Sequence, residues 1–298
     1  MKKIYLFLSF FLIIINFISA QEETFDNNRY FKLVQQYQNR QELLDSGFSE
    51  LDLRSNTMYW YGEAAINMLH EKNPALNNFQ SFVLSPDGKN LFGYKDIGYE
   101  VTALDSIVFC DTNGVIKNIM SSPVKDDACC NSMRFFTSNS QYVYLTFAYQ
   151  NLMFIYDHQG QFLGKVENAF LRDSSGMTLY SFLSNDMKNY IYTKHVYDSR
   201  KNYRLYYANN KSDVKWISNI DSCFIVFCEI QDSIIIIYGG DRSFYATNNK
   251  LNTFRMFVLK RETGEILYSK DYLNNVYCLR NKFIIEINDK FDEYEILY

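Results

Sequence analysis

The stretch Ser81–Tyr94, SFVLSPDGKNLFGY, reads as a strand, a tight polar turn on Ser85-Pro86-Asp87-Gly88-Lys89, and a second strand. The plan returns four times. MRFFTSNSQYVYLTF starts at Met133, YSFLSNDMKNYIYTK at Tyr180, CFIVFCEIQDSIIIIY at Cys223 and NVYCLRNKFIIEI at Asn275. The turn residues Asp87, Asn139, Asp186, Asp232 and Asn281 lie 52, 47, 46 and 49 residues apart. A second hairpin falls between most of these. SIVFCDTNGVIKNI turns at Asn113-Gly114, NLMFIYDHQGQFLGKV at Gln159-Gly160, YRLYYANNKSDVKWI near Asn210 and RMFVLKRETGEILY at Thr263-Gly264. Two hairpins per period make four strands, flanked by the aromatic and β-branched residues that strands favour.

Four-stranded units of this length, repeated around an axis, are the β-propeller pattern, which protects strand edges by radial repetition. The sequence thus predicts an all-β chain of four-stranded antiparallel blades, with six blades expected inside a range of five to seven. FSELDLRSNTMYWYG and AINMLHEKNPALNNF would supply the poorly marked first unit, turning at Asn56 and at Lys72-Asn73. The chain stops just after the strand EYEILY, so a segment near Phe48 to Leu53 is expected to complete the last blade. Residues 28–46 carry Tyr30, Leu33, Val34, Tyr37 and Leu44 at helical spacing. They read as a short helix or arm, giving a leader at 1–20, an arm at 21–47 and a propeller domain at 48–298.

Residues 1–20, MKKIYLFLSFFLIIINFISA, place Lys2 and Lys3 before an apolar run and end on small residues. This is the layout of a secretory signal peptide cut between Ala20 and Gln21. The run from Ile4 to Ile18 falls short of the ~30 Å hydrocarbon core at ~1.5 Å per residue. An exported protein, soluble after cleavage and without stable membrane insertion, is the expectation.

The formal net charge is −4, and loss of Lys2 and Lys3 leaves −6. No basic cluster appears, which argues against nucleic acid as a partner. Six cysteines, Cys110, Cys129, Cys130, Cys223, Cys228 and Cys278, could form up to three disulfides in an oxidising compartment. Their spacing does not suggest zinc. Val226-Phe227-Cys228 and Val276-Tyr277-Cys278 occupy equivalent places in successive units; both cysteines read first as small buried apolar residues, and a bridge between them is possible only if they approach within ~7 Å. The adjacent pair Cys129-Cys130 is poorly placed to bond to itself.

The turn Ser85-Pro86-Asp87-Gly88-Lys89 resembles the signature turn of Tol-associated and peptidase-linked propeller repeats. Phe154-Ile155-Tyr156-Asp157-His158-Gln159-Gly160 is similar to a strand and turn of bacterial six-bladed NHL-like propellers. The resemblance implies a fold whose members include binding scaffolds, sensors, lactonase-like enzymes and lyases, so function has to come from a site.

No catalytic motif stands out. His70, His158 and His195 each sit near a turn or strand end without a second histidine at ligand spacing. Glu229, Arg134 and Arg280 are the polar candidates on inner strands, and their mixed sign is unlike an acidic metal cage. Asp87 reads as a turn residue, and Asp126-Asp127 beside Cys129 as a solvated loop. Tyr59-Trp60-Tyr61, and the run with Tyr203, Tyr206 and Tyr207, must present rings to both faces of any strand they form. Asn210-Lys211-Ser212 is the single glycosylation sequon. The expectation is a non-catalytic binding or scaffold module for a protein or glycan partner, with no cofactor. The alternative is a metal-dependent hydrolase or lyase with ligands, calcium among them, lining a central channel.

Overall fold

A computed structural model of the protein describes residues 30–47, 63–97, 103–124, 132–137, 139–148, 150–171, 176–196, 202–221, 224–240, 254–272, 276–279 and 282–297. Among the described residues the first elements are β1 (Phe31–Tyr37), α1 (Arg40–Asp45), α2 (Glu63–Lys72) and a 3-10 turn at Pro74–Leu76. Four sheets follow in sequence order. The first holds β2 (Ser81–Leu84), β3 (Asn90–Ile97), β4 (Ala103–Asp111) and β5 (Ile116–Ser121). The second holds β6 (Ser132–Phe136), β7 (Tyr142–Phe147), β8 (Leu152–Asp157) and β9 (Phe162–Glu167). The third holds β10 (Gly176–Leu183), β11 (Asn189–Val196), β12 (Asn202–Asn209) and β13 (Val214–Asp221). The fourth holds β14 (Phe224–Ile230), β15 (Ile234–Gly240), β16 (Phe254–Lys260) and β17 (Ile266–Tyr272). In the fifth, β18 (Val276–Leu279), β19 (Lys282–Ile287) and β20 (Lys290–Ile296) are completed by β1.

All five sheets are antiparallel, four of them meanders of sequential strands and the fifth a three-stranded meander completed by β1, and β2, β6, β10 and β14 touch in succession. This is a β-propeller arrangement, with each first strand innermost. Alternation along each strand sends side chains to both neighbours. On β3, Phe92 packs toward the second blade with Phe109, Val143 and Leu145, while Leu91 packs the opposite way with Phe82 and Val108. The second and third blades share Tyr144, Ile155, Tyr190, Tyr192 and Tyr206, the third and fourth share Ile191, Tyr207, Ile235 and Ile237, and the fourth and fifth share Ile236, Val258, Phe283 and Ile285. The tyrosines stack: Tyr192 and Tyr206 lie 4.8 Å apart at 8°. Paired rings of this kind add ~0.5–1.5 kcal/mol beyond their burial.

Helices cover the remaining faces. Leu43 of α1 lies against Tyr37, Ile284 and Phe291 of the fifth blade. Leu69 of α2, with Leu76 and Phe79, lies against Phe82, Leu91, Val108 and Cys110 of the first. Five blades are seen among the described residues; of the expected first unit, residues 48–62 lie outside the described residues and residues 65–79 hold a helix and a 3-10 turn.

Three expectations are corrected. Residues 31–37, expected to be helical, form β1, because Phe31, Leu33 and Tyr37 can be buried by pairing with the open edge of β20 in the register Phe31↔Ile296 to Tyr37↔Phe291. An N-terminal strand does complete the last blade, but it is Phe31–Tyr37; the expected segment, residues 48–53, lies outside the described residues. AINMLHEKNPALNNF is a helix and a 3-10 turn rather than a hairpin, with the Asn73 side chain accepting from Ala75 N–H. Proline is well suited to the first position of such a turn.

The third correction concerns sulfur. Cys110 and Cys228 are free and buried, so the bridge between Cys228 and Cys278 does not form. Each fills a hydrophobic seam, Cys110 beneath α2 and Cys228 between the third and fourth blades. Burial raises both thiols, Cys110 to about 12 and Cys228 well above its ordinary value, which keeps them protonated. Residues 129, 130 and 223 lie outside the described residues. Cys278 is placed on β18 by its backbone alone.

Candidate functional site

An antiparallel meander sends successive connections to opposite ends of the blade. At one end lie the turns after the first and third strands, spanning two to five residues. At the other, the strands are separated in sequence by two to thirteen residues, and of the two widest separations residues 125–131 and 241–253 lie outside the described residues.

The short end is built from side-chain oxygens that replace backbone partners. Ser85 Oγ donates to Asp87 Oδ1 at 2.6 Å and accepts from Asn90 N–H at 2.9 Å, while Asp87 Oδ1 accepts from Lys89 N–H. Thr137 with Asn139, and Ser184 with Asp186, repeat the set. The second turn of three blades is also an Asx turn. Asp111 Oδ1 accepts from Asn113 and Val115 N–H, Asp157 Oδ1 from Gln159 and Gln161, and Asn209 Oδ1 from Lys211 and Asp213. Aspartate and asparagine are suited to this because a short side chain reaches the amide two residues on. The two turns are then joined by backbone: Thr112, His158, Asn210 and Arg261 N–H donate to the carbonyls of Lys89, Gln141, Lys188 and Ser233.

Further bonds cross from blade to blade. Ser140 Oγ accepts from Asp87 N–H, Asn185 Oδ1 accepts from Asn139 N–H, and Asn118 Nδ2 donates to Gly160 O at 2.9 Å. Asn73, at the end of α2, donates to Gly114 O at 2.7 Å as Asn118 does to Gly160. The helical cap thus docks on the first blade through the contact that a preceding blade would make. Gly160 and Gly264 occupy the left-handed region, at φ +84° and +71°. A Cβ on either would stand 2.6 Å from a ring atom of the preceding blade, on Phe109 and Trp216 respectively.

The densest polar group of this end surrounds Arg261. Its Nε donates to Tyr207 Oη at 2.6 Å and its Nη1 to Gln231 O at 2.8 Å. Asp186 and Asp232 carboxylates stand 3.8 Å away, and Trp216 Nε1 donates to the Arg261 carbonyl. Burial raises the Tyr207 phenol above its ordinary range against the pull of the guanidinium. Burial also works to raise Asp186, but bonds from Ser184 and Lys188 N–H and the nearby Arg261 hold it below the usual carboxylate value. The group is a clasp between the third and fourth blades: a committed cation, an ionised acid and a neutral phenol.

The remaining sequence candidates do not converge. His70 Nε2 donates to Phe79 O at 3.0 Å beneath the first blade, and His158 is a turn residue of the second. His195 pairs in register with Met177 and Tyr203 on β11. Glu229 is buried on β14. Arg134 lies on β6, while residues 280, 126, 127, 59–61 and the cleavage site Ala20–Gln21 lie outside the described residues. Tyr206 and Tyr207 pack into opposite seams. Among the described residues no group of three or more His, Cys, Asp or Glu side chains is arranged to hold a metal ion, and no helix is long and apolar enough to cross a membrane.

Two buried polar residues and the half-buried Arg261 escaped the sequence reading. Lys194 donates to Leu171 O and stands 5.4 Å from the Tyr206 ring, Glu293 accepts from Tyr37 Oη at 2.6 Å, and Arg261 forms the clasp. For Lys194 a signal existed, since alternation in YIYTK puts it on the same face as Tyr190 and Tyr192.

No protein-family model matches the chain, and no curated protein matches it. Among solved structures it is similar to a WD40 domain of Toxoplasma gondii coronin, at 10% identity over 74% of this chain and 56% of that one, TM-score 0.41. It is also similar to the Dos1 propeller, at 8% over 70% and 52%, TM-score 0.40. A protein of unknown function from Bacteroides caccae matches at 11% over 64% and 66%, TM-score 0.36. The chain spans about half to two thirds of the length of these structures. The propeller assignment rests on the sheets themselves, and these distant likenesses say nothing about a ligand.

Proposed function

We propose that the chain is an exported, non-catalytic binding or scaffold module that holds a protein or glycan partner on the blade end carrying its longer connections, without a cofactor. The supporting observation is the asymmetry between the two ends. The short-turn end uses its Asx and Ser/Thr oxygens inside turns and across blade junctions. At the other end the described strands are separated by two to thirteen residues of sequence, and variable spacing on a common scaffold is how rigid folds carry recognition. The leader-like residues 1–20 support export.

The test uses the full chain, followed through secretion by N-terminal sequencing of the product. Partners are captured by crosslinking, in parallel with a variant in which residues 241–253 are replaced by a two-residue Asn-Asp turn. A start at Gln21, with a wild-type partner lost in a variant of unchanged thermal midpoint, is the expected result. Retention by that variant, together with loss on a turn-end substitution such as Lys188→Ala, places binding at the opposite end and overturns the proposal. Retention of the leader in a cell-associated product overturns export separately.

A further inference from the structure

The outermost strands β1, β5, β9, β13 and β17 each end their sheet, with a neighbouring strand on one side only. A strand edge of this kind is a template for another strand. All five carry large apolar side chains open to solvent: Val34, Ile119, Phe162 and Leu163, Ile217, and Ile266 with Leu267, Phe162 being 53% exposed. Such edges invite pairing between copies.

Two features recur on every one of them. Each holds one lysine: Lys32, Lys117, Lys165, Lys215 and Lys270. Each also breaks register against its inner neighbour, between Leu33 and Gln35 on β1 and at the matching third-to-fourth strand pairs of the other four blades. A bulge twists an edge away from a flat template, and an edge lysine would have to be desolvated beside a second chain. Proline, the other common block, is not used: Pro74, Pro86 and Pro123 all lie outside the strands. Acidic residues are not common to the set, since β1 and β5 have none.

We propose that the five edge lysines act as gatekeepers that keep this chain from adding strands to second copies of itself through its outer edges. The occupant they exclude is the same outer strand of another molecule. Lys165 and Lys215 are the clearest cases, both exposed and on the strands that carry Phe162 and Ile217, the most exposed apolar residues of the five edges; Lys165 also pairs with Glu167, whereas Lys117 is half-buried and bonded to Asn90 Oδ1.

The experiment compares the full-length protein with Lys165→Val/Lys215→Val, and with a control losing the same charge at the turn end, Lys89→Val/Lys188→Val. Light-scattering mass is followed over a concentration series, with infrared amide bands reporting intermolecular strands and circular dichroism confirming the fold. The wild type and control are expected to hold monomer mass, while the edge variant climbs to dimer mass and above with a new intermolecular β band. Lys165→Glu/Lys215→Glu, which keeps a charge on each edge, should restore monomer mass and serves as the arm to read if the valine variant fails to fold. Equal association of edge variant and control, no association of either, or a wild type that already pairs through these strands would overturn the proposal.

Discussion

The two ends of the blades do different physical jobs with the same strands between them. At the short-turn end, the hydrogen bonds of Asp157, Asn209 and Asp186 close each reversal, and Asn118, Ser140, Asn185 and Arg261 tie it to the next blade. At the other end the described connections run from a two-residue turn at Asn288-Asp289 to the Asn151 corner, where the side chain accepts from Phe170 N–H. The other end is not free of ties, since Ala169 O accepts from Tyr190 Oη and Leu171 N–H donates to Tyr192 Oη of the third blade, but its bonds follow no repeated set from blade to blade. A repeat protein can diversify one end only when neighbour contacts are kept elsewhere.

The largest expected effect is that of alkali, which should loosen the short-turn end and the seams together. Burial raises Tyr156, Tyr190 and Cys110 each to about 12, and raises Tyr207 in the clasp. The folded chain keeps protons that the unfolded chain would release. Stability is therefore full below the ordinary thiol value of 9.0 and falls as pH rises through the phenol value of 10.0 toward about 12, by ~2–3 kcal/mol for each buried tyrosine raised to about 12. A thermal midpoint unchanged between pH 8 and 11.5 would contradict this.

Next comes Gly264→Val. A Cβ there meets Trp216 at 2.6 Å in a left-handed position, so a loss of ~2–4 kcal/mol and a midpoint lowered by several degrees are expected from denaturant and thermal unfolding. The smallest effects sharpen the contrast. Asp157→Ala removes two Asx bonds at the short-turn end and should cost ~1–2 kcal/mol. A four-residue glycine-serine insertion within residues 241–253 should cost under ~0.6 kcal/mol by chain entropy. If the insertion costs more than the alanine, the division of labour between the ends is wrong.

Much of the fold was legible because turn chemistry is local. Ser-Pro-Asp-Gly, Asn-Gly and Gln-Gly each impose a reversal wherever they stand, so the period and the four-strand unit could be read directly. FKLVQQY was not legible. Tyr30, Leu33, Val34 and Tyr37 satisfy a helical period while Phe31 and Leu33 satisfy a strand, and nothing inside the segment chooses between them. The unpaired edge of β20, more than 250 residues away, decides it. Glu63–Lys72 erred in the other direction: Leu69, Leu76 and Phe79 needed a surface, and the outward face of the first blade supplied it. The candidate residues fared likewise, since Arg261 becomes a clasp only when Asp186, Tyr207 and Gln231 arrive from other strands.

Residue order by itself determined the repeat, the strand–turn grammar and the leader-like start, because each depends on neighbours within a few positions. Tertiary structure alone decided which strand completes the last blade, that helices cover the remaining faces, that Cys110 and Cys228 stay free, and which turns are tied from blade to blade. Those outcomes depend on which distant surfaces remain open after the local elements form, and burying an open surface outweighs the small intrinsic preference of a short segment.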